Sequence, residues 1–550
     1  MLGHRHRRSL LALGATTLAL SIAGTALAAT GDLTPQGCIQ DNDILAPDAC
    51  SPSIDGLEAA QAVVVSADGR SVYAASQFDD AVVRFDRDPA TGALMPQGCV
   101  DDNDTGGDTC GTDTDGLGET KSVALSPDGT SLYAVSAADS AIVRFSRDPA
   151  TGAIAPLDCV EDNDTGAEGI CAQSTNGLDQ PYSVAVSPDG ASVYVASLGD
   201  DAIARFDRAA NGALTPQGCI DDNDAGQGPD NCGAGNTTDG LNAAISVAVS
   251  ADGTSVYVAS EQDDAVVRFN RAAGGALTAQ GCVDDNDAGQ GPDTCGQATD
   301  GLDRAQVVTV SPDNLSVYAG SRDDDAVVRF DRAPGGALTP MGCVQDNDTG
   351  PDSCAQTADG LDDVFALAVS PDGLSLYAAA RGDDAIAVFD RSPNPGALTP
   401  KGCVDDNDPP QGADACAQTT DGLNGARSVA VSADGASVYA ASEFDETVAA
   451  FARDTGAGAG PEADTDPPET TIVKAPKKKT GKRKAKFEFA SDEPGSSFLC
   501  KLDKKDFEPC DPAERFKVKR RKHRLEVAAV DPAGNVDPTP ALHKWKVRKR

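Results

Sequence analysis

Histidine is nearly absent: the 550-residue chain has four, and none falls between His6 and His523. That removes the commonest general acid and base from the long middle of the chain, and with it any Ser-His-Asp arrangement there. It also removes the usual companions of a zinc-binding cysteine, and no Cys-x-x-Cys pair stands in for them. Basic residues are scarce over 30–466, where 19 lysines and arginines face 74 aspartates and glutamates. A body this acidic repels nucleic acid and anionic surfaces and attracts cations. No glycine-rich phosphate loop or dinucleotide fingerprint interrupts it. Past the N-terminus no segment approaches the ~18 consecutive apolar residues of a membrane span.

What is present begins with an export signal. "MLGHRHRRSLLALGATTLALSIAGTALAA" joins a basic start, an apolar middle and an Ala26-Leu27-Ala28 cleavage site, so residues 1–28 read as a secretory signal peptide. The sixteen cysteines agree with export. They fall into eight close pairs: Cys38 with Cys50, Cys99 with Cys110, Cys159 with Cys171, Cys219 with Cys232, Cys282 with Cys295, Cys343 with Cys354, Cys403 with Cys416, and Cys500 with Cys510. Such spacing predicts local disulfides made in an oxidising compartment. The expected location is therefore extracellular or envelope-associated, and the expected state is a monomer.

A repeat of roughly 60 residues dominates the map. One unit reads "SVAVSPDGASVYVASLGDDAIARFDRAANGALTPQGC", from Ser183 to Cys219. "SVAV", "SVYVAS" and "AIARF" are β-branched or alternating runs and predict strands. "SPDG" predicts a tight turn, and "GALTPQG" a fourth strand whose proline suits an outer edge. The turn recurs at Ser66, Ser126, Ser187, Ser250, Ser311, Ser370 and Ser432. The fourth strand also recurs seven times, but its first copy, "GDLTPQGC" at 31–38, precedes every turn, and the last unit stops near Phe451 without one. The fold class is therefore all-β: a seven-bladed β-propeller over 29–452, whose N-terminal segment supplies the outer strand of the final blade and closes the ring.

"VAVSPDG", "SVYVAS" and "DDAVVRFDRD…GALTP" resemble the YVTN-type and lactonase-type seven-bladed propellers, a family that includes 6-phosphogluconolactonase-like proteins. These residues are strands and turns, so the resemblance is specific for fold and says less of activity. It implies a site at the mouth of the central channel, where lactone-acting relatives use polar residues, in some branches histidine with arginine.

In this chain the most variable inner-strand position lies five residues before each turn serine: Gln61, Lys121, Tyr182, Ile245, Gln306, Phe365 and Arg427. Two cations with an aromatic suit a small anionic or polyhydroxylated ligand, or a protein partner at that face. Two readings follow. One is a non-enzymatic binding protein of the envelope or extracellular space. The alternative is a lactonase-type hydrolase acting on a sugar lactone, with Lys121, Arg427, Glu58 and Glu119 in place of histidine.

Seven acidic loops, such as "CVDDNDTGGDTC" at 99–110, raise the question of calcium. Hard cations want several oxygens on a short loop, and Asp101, Asn103 and Asp104, Asp221, Asn223 and Asp224, and Asp284, Asn286 and Asp287 are the candidate ligands. The other reading is that short Asx side chains cap backbone N–H groups. The paired aspartates at Asp79, Asp200, Asp263 and Asp383 are expected to hold their own turns, and Arg84, Arg144, Arg205, Arg268 and Arg329 to pack and pair with acids.

Residues 453–468 read as a Gly/Pro/acid linker. Residues 469–550 alternate like a small β-sandwich, and "EPGSSFLCKLD…FEPC…VAAVDPAGNVDPTPA" resembles bacterial immunoglobulin-like modules. This segment carries 23 lysines and arginines over 467–550 against 12 acids. Its run Lys474, Lys477, Lys478, Lys479, Lys482, Arg483 and Lys484 suits an anionic envelope polymer or lipid headgroups, or is a solvated face that offsets the acidic body. Nucleic acid is not an expected partner.

Overall fold

The computed structural model describes residues 31–42, 50–103, 110–163, 170–223, 232–233, 236–286, 295–347, 354–407, 416–455, 470–491, 497–503, 505, 507–510, 513–530, 537 and 539–548. The signal peptide, nearly all of the linker, and Asp104, Asp224 and Asp287 lie outside them. Two compact units result, Met1–Gly456 and Ala457–Arg550.

Each repeat folds as a meander because every apolar run finds an antiparallel partner next to it in sequence. In the first blade Ala60–Val65, Ser71–Ser76, Ala81–Arg87 and Leu94–Asp102 pair in order. A fifth strand, Asp113–Thr114, runs parallel to the outer one. The sequence reading of four strands per blade is corrected here. The fifth has two or three residues, too few to show a period, and forms because the Cys99–Cys110 bridge returns the chain beside the strand it left. All seven sheets share this order, and all eight cysteine pairs are bonded as their spacing predicts.

The ring closes with a borrowed strand. Leu33–Asp41 pairs antiparallel with Thr447–Arg453, from Leu33 opposite Arg453 to Gln40 opposite Thr447. Ser53–Ile54 then adds the fifth strand of that last blade. Arg453, assigned from sequence to the linker, is thus part of the propeller. Inner strands pack on one another around the centre, and the seventh, Ala426–Val431, returns to the first. Val63 N–H donates to Ser428 Oγ across that seam at 3.1 Å.

The core sits between blades. Tyr73, Tyr133, Tyr194, Tyr257, Tyr318, Tyr377 and Tyr439, one per second strand, are fully buried among Val, Ala and Phe side chains. Each hydroxyl donates to a glycine carbonyl of the next blade, as Tyr133 does to Gly212 at 2.7 Å. It also accepts from an arginine that ends that blade's third strand: Arg208 Nε to Tyr133 at 2.8 Å. The same guanidinium reaches Gly190 O at 3.1 Å and both oxygens of Asp128 at 2.9 and 3.0 Å. Asp128 belongs to the turn, where it also accepts from Ser126 Oγ at 2.6 Å and Thr130 N–H at 3.1 Å. Arg87, Arg147, Arg271, Arg332, Arg391 and Arg453 repeat the clamp.

The second unit is a small all-β body. One five-stranded sheet runs Lys479–Thr480, Ala541–Val547, Lys522–Val530, Ser497–Leu502, Glu508–Cys510, and two short two-stranded sheets accompany it. Its core joins Phe487, Phe489, Phe498, Leu525, Val527 and Trp545. Cys500 and Cys510 staple the hairpin between its last two strands, as the sequence suggested. No helix among the described residues is long and apolar enough to cross a membrane.

Candidate active site at the channel mouth

Every inner strand carries one bulge, between Ala60 and Ala62 in the first blade, and at the corresponding place in the other six. The bulged residues are Gln61, Lys121, Tyr182, Ile245, Gln306, Phe365 and Arg427, the variable positions of the sequence. A bulge leaves its residue outside the ladder and re-aims its side chain, so a regular scaffold can present seven different groups. The residue two before it takes a positive φ in every blade: Ala59, Glu119, Gln180, Ala243, Arg304, Asp363 and Gly425. Non-glycine residues rarely hold that conformation, and here the surroundings impose it.

What imposes it is the paired aspartate. Asp79 Oδ2 accepts the Glu58 N–H at 2.6 Å within its own blade. Asp200, Asp263 and Asp383 do the same for Asp179, Asn242 and Asp362, so these carboxylates hold turns as expected. The second aspartate reaches the next blade: Asp264 Oδ1 accepts Arg304 N–H at 2.6 Å and Asp325 Oδ1 accepts Asp363 N–H at 2.9 Å. Burial pushes Asp80 up to about 6 and Asp264 up to about 7, with neighbouring carboxylates adding to the effect.

The structure brings the predicted mouth residues together in two groups. Lys121 Nζ stands 5.4 Å from the Tyr182 ring and 3.1 Å from Glu119, which also accepts from Gln77 at 3.3 Å. Burial lowers the proton affinity of Lys121, with Glu119 opposing. In the second group Arg427 stacks on Phe365 at 4.2 Å and donates to Glu443 at 2.8 Å. Gln61 turns its amide to Ala59 O at 3.2 Å. Gln306 is 4% exposed, and its Nε2 has no hydrogen-bond partner among the described residues. Glu58 donates its backbone N–H to Asp79 Oδ2.

Sequence reasoning missed half of the site. Glu443 also accepts from Arg381 Nε at 2.8 Å, and Arg381 Nη1 lies 3.3 Å from Asp363. Asp363 meets Arg322 at 3.4 Å, and Arg322 and Arg304 each lie 3.6 Å from Glu261. A belt of alternating charge thus spans blades four to seven. Its missed members come from two places: the positive-φ residue (Arg304, Asp363) and the first residue after the second strand (Glu261, Arg322, Arg381, Glu443). That last position is as variable as the bulge: Gln77, Ala137, Leu198, Glu261, Arg322, Arg381, Glu443. Variation at equivalent places was the available signal. Burial opposes charge on Glu443, but Arg427 and Arg381 outweigh it and hold this carboxyl below its ordinary value. At Asp363, 8% exposed, burial prevails and raises it, and its Oδ1 accepts no hydrogen bond among the described residues.

In the acidic loops Asp102, Asp222, Asp285 and the neighbouring asparagines serve structure. Asp102 Oδ2 accepts Leu117 N–H at 2.9 Å, and Asp222 and Asp285 do so for Leu241 and Leu302 at 2.8 Å. Asn103, Asn223 and Asn286 donate to Asp115, Asp239 and Asp300. Asp101, Asp221 and Asp284 lie in the outer strands, beside the parallel fifth. No group of three or more His, Cys, Asp or Glu suited to a metal occurs among the described residues.

With this geometry in hand, the comparisons decide the family. The model of the family described as lactonase, 7-bladed beta-propeller, matches residues 37–161, 122–223, 171–361 and 342–459. The chain belongs to that lactonase family. Among solved structures it is similar to a 6-phosphogluconolactonase candidate from Bacteroides uniformis, at 20% identity and a TM-score of 0.45 over 64% of this chain and 85% of that one. The Pseudomonas aeruginosa periplasmic gluconolactonase PpgL matches at 19% and 0.44, over 62% and 84%. Kuenenia stuttgartiensis hydrazine synthase matches at 16% and 0.45, over 74% and 99%. A search of curated proteins finds no match. Membership in the lactonase family backs the hydrolase alternative of the sequence reading over the non-enzymatic binding one.

Proposed function

We propose that this lactonase-family propeller hydrolyses an uncharged, polyhydroxylated sugar lactone at the channel mouth. The observation that carries the reading is the Arg427–Glu443–Arg381–Asp363 chain: guanidinium groups beside a buried carboxylate that lacks a full set of donors. Arg427, stacked on Phe365, takes the lactone carbonyl and stabilises the oxyanion that forms on it. Asp363, whose raised proton affinity suits a general base, takes a proton from the attacking water. Water oxygen bonds to the carbonyl carbon, the ring C–O bond breaks, and the proton passes to the departing alkoxide to give a hydroxy acid. Lys121 and Tyr182, with Gln61 and Gln306, bind ring hydroxyls. Each cation of the site already faces a carboxylate, so little positive charge is left for a phosphate ester, and the unphosphorylated lactone is the better substrate.

The signal-like residues 1–28 and the eight disulfides support an activity outside the cytoplasm. The test is ring opening of glucono-1,5-lactone, followed as acid release above the spontaneous rate. Asp363→Asn is expected to cut kcat by about 10²-fold or more, and Arg427→Gln to cut kcat/KM with it. Saturable lactone binding without turnover, weakened by Lys121→Ala and Arg427→Ala, would instead establish a sugar-binding propeller.

A further inference from the structure

The second unit holds a hollow of about 1160 Å³ whose lining is dominated by lysine. Its construction costs stability. Lys546 lies directly opposite Lys522 on one neighbouring strand and Lys479 on the other. One row down, Lys544 faces Arg524. Like charges directly opposite across a sheet destabilise it, and neighbouring strands stand only ~4.8 Å apart. Asp503, the carboxylate of the lining, is already occupied by Arg521 and His523, each at 2.9 Å. Lys479, Lys517, Lys519, Lys522, Lys544 and Lys546 have no ion pair among the described residues. Trp545 borders the hollow from the core side, where its ring is 3% exposed and packs against Phe487 at 5.3 Å, on the sheet face opposite Lys544 and Lys546. The lysine run picked out in the sequence is divided: Lys478 and Lys479 reach this lining, whereas Lys474 pairs with Glu488.

We infer that this hollow binds a flexible, soluble polyanion: phosphate groups strung along an uncharged polyol or sugar chain. Ammonium groups ~5 Å apart across strands and ~7 Å apart along them form a lattice of point charges, which suits mobile, repeated phosphates. A single rigid carboxylate or guanine edge would call for the fork of arginine. A concave lining also favours a chain that enters it over a flat bilayer, which reaches only the rim.

Trp545 is the chain's single tryptophan, so its fluorescence reports occupancy in the full-length exported protein. Titration with poly(glycerol phosphate) is expected to give a saturable change that weakens steeply between 50 and 200 mM salt, as counterion release requires (~10-fold or more). Lys479→Gln with Lys522→Gln and Lys546→Gln should weaken binding by about 10-fold or more while holding or raising the melting temperature, because the repulsion is relieved. The triple arginine variant should keep binding. The inference falls if no response occurs at 50 mM salt, or if the triple glutamine variant binds as tightly as the parent. It also falls if phosphatidylglycerol vesicles or single-stranded DNA bind more tightly than the polymer.

Discussion

Arg208 shows how much a single residue holds in this ring. Its side chain is buried, and it joins Tyr133, Ser131 and Asp128 of one blade to Gly190 of its own. Arg208→Ala would strip a buried hydroxyl and a carbonyl of their partner while Asp128 rehydrates in part, a cost of about 3 kcal/mol. The urea midpoint should fall accordingly, and Arg208→Lys should recover only part because one ammonium cannot span four partners. Gly152 is similarly constrained: its φ is +74°, and an added Cβ would meet Ser71 Oγ at 2.1 Å. Gly152→Ala should lower the melting temperature more than Gly98→Ala, whose Cβ would meet nothing within 4 Å. Sequence reading singled out Arg84 and its equivalents; Arg84, Arg144, Arg205 and Arg329 do pair with acids, as Arg144 does with Asp158 at 2.7 Å, whereas Arg268 donates to Asn270 at 2.8 Å and to Gly335 O at 2.6 Å. It passed over Arg87 and Arg208 because a strand-ending arginine looks like a solvated one until its acceptors, from the preceding blade, are placed beside it.

At the scale of elements the strand Leu33–Asp41 decides whether there is a ring. It covers the last blade's third strand through Arg453 and places Gly31 O at 2.7 Å from the Tyr377 hydroxyl. Removing residues 31–37 while keeping Cys38 should leave an exposed strand edge and a buried phenol without its acceptor. We expect a lower urea midpoint together with concentration-dependent association by light scattering; a monomer of unchanged stability would show that closure is incidental. The ring, the borrowed strand and the seven bridges were legible in the sequence because each is a local pattern repeated with one displaced copy. The fifth strand was not, being two residues of ordinary polarity, as in Asp113–Thr114. The site was half legible: the bulge residues varied against a constant background, but the Arg381–Glu443–Arg427 bridge joins three strands and two blades, and no linear pattern encodes that. For the acidic loops, Asp102 is spent on Leu117 N–H and the Asn103 amide group on Asp115. Melting temperatures in chelator and in millimolar calcium are therefore expected to coincide, and a rise with calcium would assign the cation to the remaining loop oxygens.

The whole molecule should respond to acid in two opposite steps, because it has two rings of carboxylates in opposite environments. At the mouth, burial raises Asp80 to about 6 and Asp264 to about 7, and raises Asp384 and Asp363 as well. Their folded values exceed the ~3.9 of an unfolded aspartate. The folded state then binds more protons, and stability is lost as pH climbs from ~4 toward 7. In the turns, burial is outweighed by serine, backbone and arginine donors, so Asp128, Asp189, Asp313 and Asp434 lie below their ordinary value and Asp252 falls to about 2. Their contribution is complete above ~4 and is lost as pH falls through the folded values. Histidine, the usual source of change between pH 5 and 8, is absent from 31–455, so the neutral limb belongs to the rim aspartates. The general repulsion in a chain of formal charge −41 acts in the same direction over that limb. Melting temperature should therefore rise from pH 8 to about 5 and fall again below about 4. Asp264→Asn separates the local effect from the general one: its side-chain oxygen still accepts the Arg304 N–H, but it no longer needs a proton to be buried. That variant should melt higher than the parent at pH 8 and equal it near pH 4.5; equal gains at both values would trace the neutral limb to overall charge instead of to the rim.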